Sequence, residues 1–274
     1  MPGSPSPPVE LTARVEGDGP AIVLLHGAGG SHTVWNGVIP LLAKEFRVLA
    51  PDLRGHGRSS APEGSTYSFD ELEGDVLRLL DTRSIDSAHW VGLSGGAMLA
   101  LRLALDAEAR TRSLTMISGA AYADRHTRAI AERWAETREK EGPDAFALRL
   151  LKDLYYPDWI EDHLEVADEL REEVKHRDYT PAVAWSRAMS TFDEKHRIAT
   201  IKVPTLIVQA MDDQVVDASH GRILRQSILH AQIRILAQTG HLVPVERPQE
   251  TADAILGLVR AAESARSGAP SVRA

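Results

Sequence analysis

The sequence predicts an α/β protein: a mostly parallel sheet with helices on both faces and a helical insertion near its middle. Three observations carry this. Short apolar runs alternate with longer segments of helical periodicity, the signature of a parallel sheet. The alternation stops over residues 120–197, where only helical periodicity remains. An apolar strand ends at Leu93, passes through Ser94 flanked by glycines, and continues as an apolar helix from Gly95.

Residues 21–25 (AIVLL) and 46–50 (FRVLA) read as buried strands. So do 89–93 (HWVGL), 114–118 (LTMIS), 205–209 (TLIVQ) and 233–236 (IRIL). Val, Ile and Leu enrich them, and Gly, Pro, Asp or His bound them. Between them, residues 69–82 carry Leu72, Val76, Leu79 and Leu80 at helical spacing, and 95–105 are almost wholly apolar. A last helical segment covers 252–259. Within 120–197, Ile160, Leu164, Ala167, Leu170 and Val174 form one apolar stripe. Trp134, Tyr155, Tyr156, Trp159 and Trp185 fall in the same stretch. The strand pattern resumes at Val203. Residues 120–197 are therefore expected to form a lid, with 1–119 and 198–274 as the core around it. The Pro-rich residues 1–8 and the small, polar residues 264–274 are expected to be flexible ends.

Composition narrows the function. The 274 residues are 43% hydrophobic and 26% charged, ordinary globular usage. There is no cysteine, which removes disulfides, thiolate metal sites and cysteine nucleophiles. The net charge is −8 and no dense Lys/Arg run exists, so nucleic acid is not an expected partner. The N-terminus lacks the basic and apolar regions of a signal peptide. No apolar stretch approaches the ~20 residues of a spanning helix. A cytoplasmic chain without a membrane partner is expected, and a homo-oligomer is compatible with it.

Four elements carry chemistry. GLSGG (92–96) fits Gly-x-Ser-x-Gly in the strand–turn–helix setting that lifts a serine hydroxyl above a sheet's carboxyl edge. On the pentapeptide alone, an inert serine in a glycine-rich connection is an equally good reading. A serine nucleophile needs a base. Among 11 histidines, His241 is set apart by Gly240 and by its place just after the last strand. His220 and His230 read as residues of one helix facing solvent. A third partner must fix the imidazole tautomer, and Asp212 and Asp213, after the strand at 205–209, both qualify. HGAGG (26–30) follows the first buried strand, and the N–H groups of Ala28 and Gly95 are placed to meet a developing oxyanion. The order Ser, Asp, His is that of one class of hydrolase. A dinucleotide site is not expected, because His32 stands at the third glycine of the fingerprint. With no P-loop and no dense ligand cluster, neither a cofactor nor a metal is expected.

With these elements in order, and with PDLRGHGRS (51–59) and VERP (245–248), the chain resembles the α/β-hydrolase family over about residues 10–260. Within it the chain is most similar to the 3-oxoadipate enol-lactonase and small carboxylesterase group. The resemblance implies the α/β-hydrolase fold, with Ser94 as nucleophile, Asp213 as acid, His241 as base, and Ala28 and Gly95 as oxyanion hole. It implies a cofactor-free serine hydrolase that cleaves a small ester or lactone through an acyl-enzyme. The same triad serves carbon–carbon bond hydrolases and perhydrolases, and a receptor that lost turnover could keep the fold. Asp52 and His56 match a structural turn. The lid would supply the substrate wall, with Trp134, Tyr155 and Trp159 as its aromatic candidates. Arg125, His126, Arg128 and Arg133 could meet a dicarboxylate but read more simply as solvated helix faces. Two residues depart from the family pattern. Gly95 stands where a bulkier residue is usual and should widen the floor beside Ser94. Ala210 replaces a usual Gly, at little cost if its backbone is not left-handed.

Overall fold

The computed structural model describes residues 8–268, so expectations for 1–7 and 269–274 lie outside the described residues. The strands are β1 (Ala13–Glu16), β2 (Ala21–Leu25), β3 (Arg47–Pro51), β4 (Ala88–Leu93), β5 (Thr111–Ile117), β6 (Thr205–Ala210) and β7 (Gln232–Leu236). They form one seven-stranded sheet in the order β1-β3-β2-β4-β5-β6-β7. All neighbours are parallel except β1, which runs antiparallel to β3. The sequence reading missed β1. ARVE is a short, half-buried edge strand, so it lacks the apolar run that marks the central ones.

The helices are α1 (Ile39–Leu42), α2 (Phe69–Thr82), α3 (Gly95–Asp106), α4 (Arg125–Lys140), α5 (Pro143–Leu154), α6 (Pro157–Glu161), α7 (Leu164–His176), α8 (Thr180–Met189), α9 (Ser219–Ser227), α10 (Val243–Glu246) and α11 (Pro248–Ser267). Every residue of β2 is buried, because alternate side chains serve opposite faces. Val23 and Leu25 join Leu72 and Val76 of α2 and Leu99 and Leu103 of α3. Ile22 and Leu24 join Ile39 and Leu42 of α1 and Ile255 and Val259 of α11. Two apolar layers thus clamp the sheet, as its continuous Val/Ile/Leu runs require. Ser68 caps α2 by accepting the Glu71 N–H, while the Glu71 carboxylate accepts the N–H groups of Thr66 and Tyr67. Such reciprocal capping fixes where the helix starts.

Helices α4 to α8 are inserted between β5 and β6. The expected single apolar stripe is split. His163 separates α6 from α7, Leu164 is 65% exposed, and only Ala167 and Val174 of the stripe are buried. Helix α11 begins at Pro248 and continues through Ser267, past the point where a loose end was expected, and stops at left-handed Gly268. His220 is also corrected. It is buried on α9 and bonds Asp124 at 3.2 Å, whereas His230 is exposed and lies beyond that helix.

Candidate active site

Ser94 sits between β4 and α3 with φ 57° and ψ −120°, a backbone conformation that L residues adopt only under constraint. The constraint is packing. A Cβ at Gly92 would lie 2.1 Å from the Gly96 carbonyl oxygen, and one at Gly96 would lie 2.2 Å from the Leu25 carbonyl oxygen. Only glycine lets strand, turn and neighbouring loop approach this closely, and the turn holds Ser94 at the sheet's carboxyl edge. The Ser94 N–H donates to the Ile117 carbonyl at 2.9 Å, tying the turn to β5.

Gly95 has a different reason. The floor that glycine was expected to widen is filled. A Cβ there would meet Met189 Sδ at 2.5 Å and Trp185 Cζ2 at 3.1 Å, both from α8. Glycine fits here because the insertion packs directly onto the start of α3. Ala210 ends β6 without left-handed backbone, so the second departure carries no strain.

His241 follows β7, and its Nδ1 donates to Asp213, 2.8 Å from Oδ2 and 2.9 Å from Oδ1. Asp213 Oδ1 also accepts the N–H groups of Val215 (2.8 Å) and Val216 (2.9 Å). Both side chains are buried. The adjacent Asp212 makes no such contact; its carbonyl accepts the Gln214 side chain. With Nδ1 occupied by Asp213, Nε2 is the ring acceptor. Ser94 and His241 line one cavity without a direct hydrogen bond between them.

The loop 26–30 lies against Ser94, so that a Cβ at Gly27 would come within 3.5 Å of Ser94 Oγ. Two buried histidines shape it. His26 Nδ1 donates to the Gly27 carbonyl at 2.8 Å while its Nε2 accepts the Leu53 N–H at 2.9 Å. His56 Nδ1 donates to the Arg54 carbonyl at 2.8 Å while its Nε2 accepts the Gly29 N–H at 3.1 Å. Accepting from an amide requires a neutral ring. Burial supplies that condition, pushing His26 down to about 3 and His56 down to about 4. Asp52 completes the turn by accepting the N–H groups of His32 (2.8 Å) and Arg58 (2.9 Å). Ala28 lies between these anchors and lines the cavity; Gly95 opens α3, so its N–H has no intrahelical acceptor.

The sequence reading missed Ser118 and Glu246. Ser118 Oγ donates to the His241 carbonyl at 3.0 Å. The Glu246 carboxylate accepts the N–H groups of Gly240 (3.0 Å) and Tyr156 (3.3 Å), and burial pushes its pKa up. Glu246 is the acid of VERP, so the signal was in the motif and only its target was unread.

The cavity holds about 270 Å³ and is mostly apolar. Trp134 and Tyr155 line it; Trp159 does not. Trp159 lies behind Tyr155, stacked on it at 5.3 Å and on His163 at 4.0 Å. Arg125, His126, Arg128 and Arg133 are exposed on α4 and do not line the cavity. Arg177 does, together with Glu173. Neither was singled out, because an i, i+4 charge pair on a helix resembles any solvated face. Among the described residues no group of His, Asp and Glu could hold a metal ion, and no helix is long and apolar enough to cross a membrane.

Comparison with known proteins gives consistent similarities. The family model described as "alpha/beta hydrolase fold" matches residues 20–248. A protein of Azorhizobium caulinodans named as a candidate carbamate hydrolase, RutD, is 31% identical over 94% of this chain and 97% of its own. 3-Oxoadipate enol-lactonase 1 of Acinetobacter baylyi is 28% identical, covering 91% of this chain and 93% of its own. The crystal structure of the enol-lactonase from Burkholderia xenovorans superposes with a TM-score of 0.84 at 29% identity, covering 91% of this chain and 96% of that one. The sheet order, the serine turn and the near full-length match lead to one assignment: this chain belongs to the α/β-hydrolase family.

Proposed function

We propose that the protein is a cofactor-free serine hydrolase that cleaves a carboxylic ester or lactone through an acyl-enzyme on Ser94. The observation that carries this reading is the buried Asp213–His241 pair opening onto the same cavity as Ser94. His241 Nε2 takes the Ser94 proton as Oγ attacks the substrate carbonyl carbon. The resulting oxyanion is met by the N–H groups of Ala28 and Gly95. Collapse expels the alkoxide, protonated by His241, and leaves acyl-Ser94. Water then attacks the ester, with His241 again taking the proton, and frees the acid. Residues 120–197 serve as the lid, and their helices wall the cavity with Trp134 and Tyr155.

The same steps would cleave a carbamate, and the name of the Azorhizobium relative makes that the second substrate class to include. The test is a panel of p-nitrophenyl esters, lactones and a phenyl carbamate, with Ser94→Ala as control. Turnover that Ser94→Ala abolishes supports the reading; turnover that survives it refutes the nucleophile.

A further inference from the structure

We propose that this site selects substrates that are neutral beyond the scissile bond and rejects acyl chains ending in a carboxylate, and that Glu173 is the residue responsible. The proposal rests on the hydrolase reading above and names its substrate class. Apart from His241, the only ionic side chains lining the cavity among the described residues are Glu173 and Arg177. Arg177 is the single cation that could receive an anionic substrate, and it is already engaged. Its Nη1 bonds the Glu173 carboxylate, its Nη2 donates to the Gly30 carbonyl at 2.9 Å, and its guanidinium carbon lies 5.6 Å from the centre of the Tyr179 ring. The pair brings no net charge to a wall otherwise made mostly of apolar residues such as Ile130, Phe146, Leu150 and Leu154, with the neutral hydroxyls of Ser31, Thr33 and Thr127 among them. A carboxylate moved into such surroundings loses hydration and gains no free cation in return. It also meets the charge of Glu173, whose side chain is half-exposed, beside the one guanidinium that lines the cavity among the described residues. A neutral alkyl or aryl group meets none of these costs.

The arrangement makes the selectivity removable. Glu173→Gln keeps the shape and the side-chain oxygen but withdraws the charge, leaving Arg177 to face an incoming anion. Two esters of equal chain length isolate the effect: p-nitrophenyl hexanoate and the p-nitrophenyl monoester of adipic acid. For the unmodified protein the ratio of kcat/KM, hexanoate over adipate, should be at least ~100, since an uncompensated buried charge is among the costliest defects a site can hold. In Glu173→Gln the ratio should fall by at least ~10, as a charge-assisted contact becomes available. Arg177→Gln, which leaves Glu173 alone at the wall, should raise it. A ratio near one in the unmodified protein overturns the proposal, as does a Glu173→Gln variant whose ratio does not move. If Glu173→Gln does not fold, Glu173→Ala takes its place, and the ratio for the unmodified protein is itself decisive. Labelling of Ser94 by a fluorophosphonate separates the two levels. Labelling with a ratio near one refutes the selectivity alone. Absence of both labelling and ester turnover refutes the hydrolase reading.

Discussion

His241 and Asp213 face each other through a two-pronged contact, Nδ1 lying 2.8 Å from one carboxylate oxygen and 2.9 Å from the other. The second oxygen is held in turn by the N–H groups of Val215 and Val216, so the carboxylate that orients the imidazole is itself fixed. Asp213→Asn keeps the shape but can present its amide N–H to the ring and favour the wrong tautomer. Turnover should fall by about 10³–10⁴-fold. Asp212→Asn should stay within about threefold of the parent, a surface-like effect. Equal losses in steady-state kcat for the two variants would disconnect the observed contact from turnover.

His26 and His56, which hold the loop 26–30, give stability a pH dependence. A free histidine titrates near ~6.5, whereas burial holds His26 at about 3 and His56 at about 4. Their folded pKa values are depressed, so the stability they supply is present above pH ~6.5. As pH falls below that, the unfolded chain takes up protons the folded chain refuses, and stability is lost toward pH 4. His56→Gln can still accept the Gly29 N–H but does not titrate. The urea midpoint of this variant should fall less steeply between pH 7 and 5 than that of the parent. Parallel slopes would show that His56 is not protected from protonation.

The glycines of the serine turn should respond unequally to alanine. At Gly96 a methyl group would strike the Leu25 carbonyl at 2.2 Å, against backbone that cannot yield. Gly96→Ala should fail to give soluble, cooperatively melting protein. At Gly95 the nearest atom is Met189 Sδ, the end of a flexible side chain, with Trp185 next. Gly95→Ala should fold with a loss of ~1–3 kcal/mol, the usual cost of overpacking. Thermal melts of both variants measure this directly, and a Gly96→Ala melt matching the parent would contradict the packing described.

Among the aromatic candidates, Trp134 and Tyr155 line the cavity and Trp159 supports Tyr155 from behind. Trp134→Ala and Tyr155→Ala should therefore change the preference for hexanoate over acetate, by at most ~10- to 200-fold. Trp159→Ala should lower Tm while changing that preference far less. A specificity shift confined to Trp159→Ala would reverse this assignment.

The parts of this molecule most legible in the sequence are those where one local signal suffices. AIVLL and TLIVQ are buried on both faces, so their apolar runs stand out. GLSGG could be read because close backbone approach tolerates only glycine at Gly92 and Gly96. What escaped depends on distant partners. β1 exists because β3 offers it an edge. His220 resembled a surface residue until the α4 cap, Asp124, was placed against it. Trp159 looked equivalent to Tyr155, and only the three-dimensional stack shows which ring faces the cavity. Glu173 and Arg177 have the spacing of an ordinary helix ion pair, and nothing local reveals that Arg177 reaches the Gly30 carbonyl in the loop 26–30.

Intact-protein mass spectrometry after rapid acid quench, with p-nitrophenyl hexanoate in excess, tests the acyl-enzyme most directly. The expected result is one hexanoyl adduct that peptide mapping places on Ser94. It should be absent in Ser94→Ala, and kcat of that variant should be lower by about 10⁴–10⁶-fold. An adduct on another residue, or a Ser94→Ala variant that retains most of its turnover, would contradict the assignment of Ser94 as nucleophile.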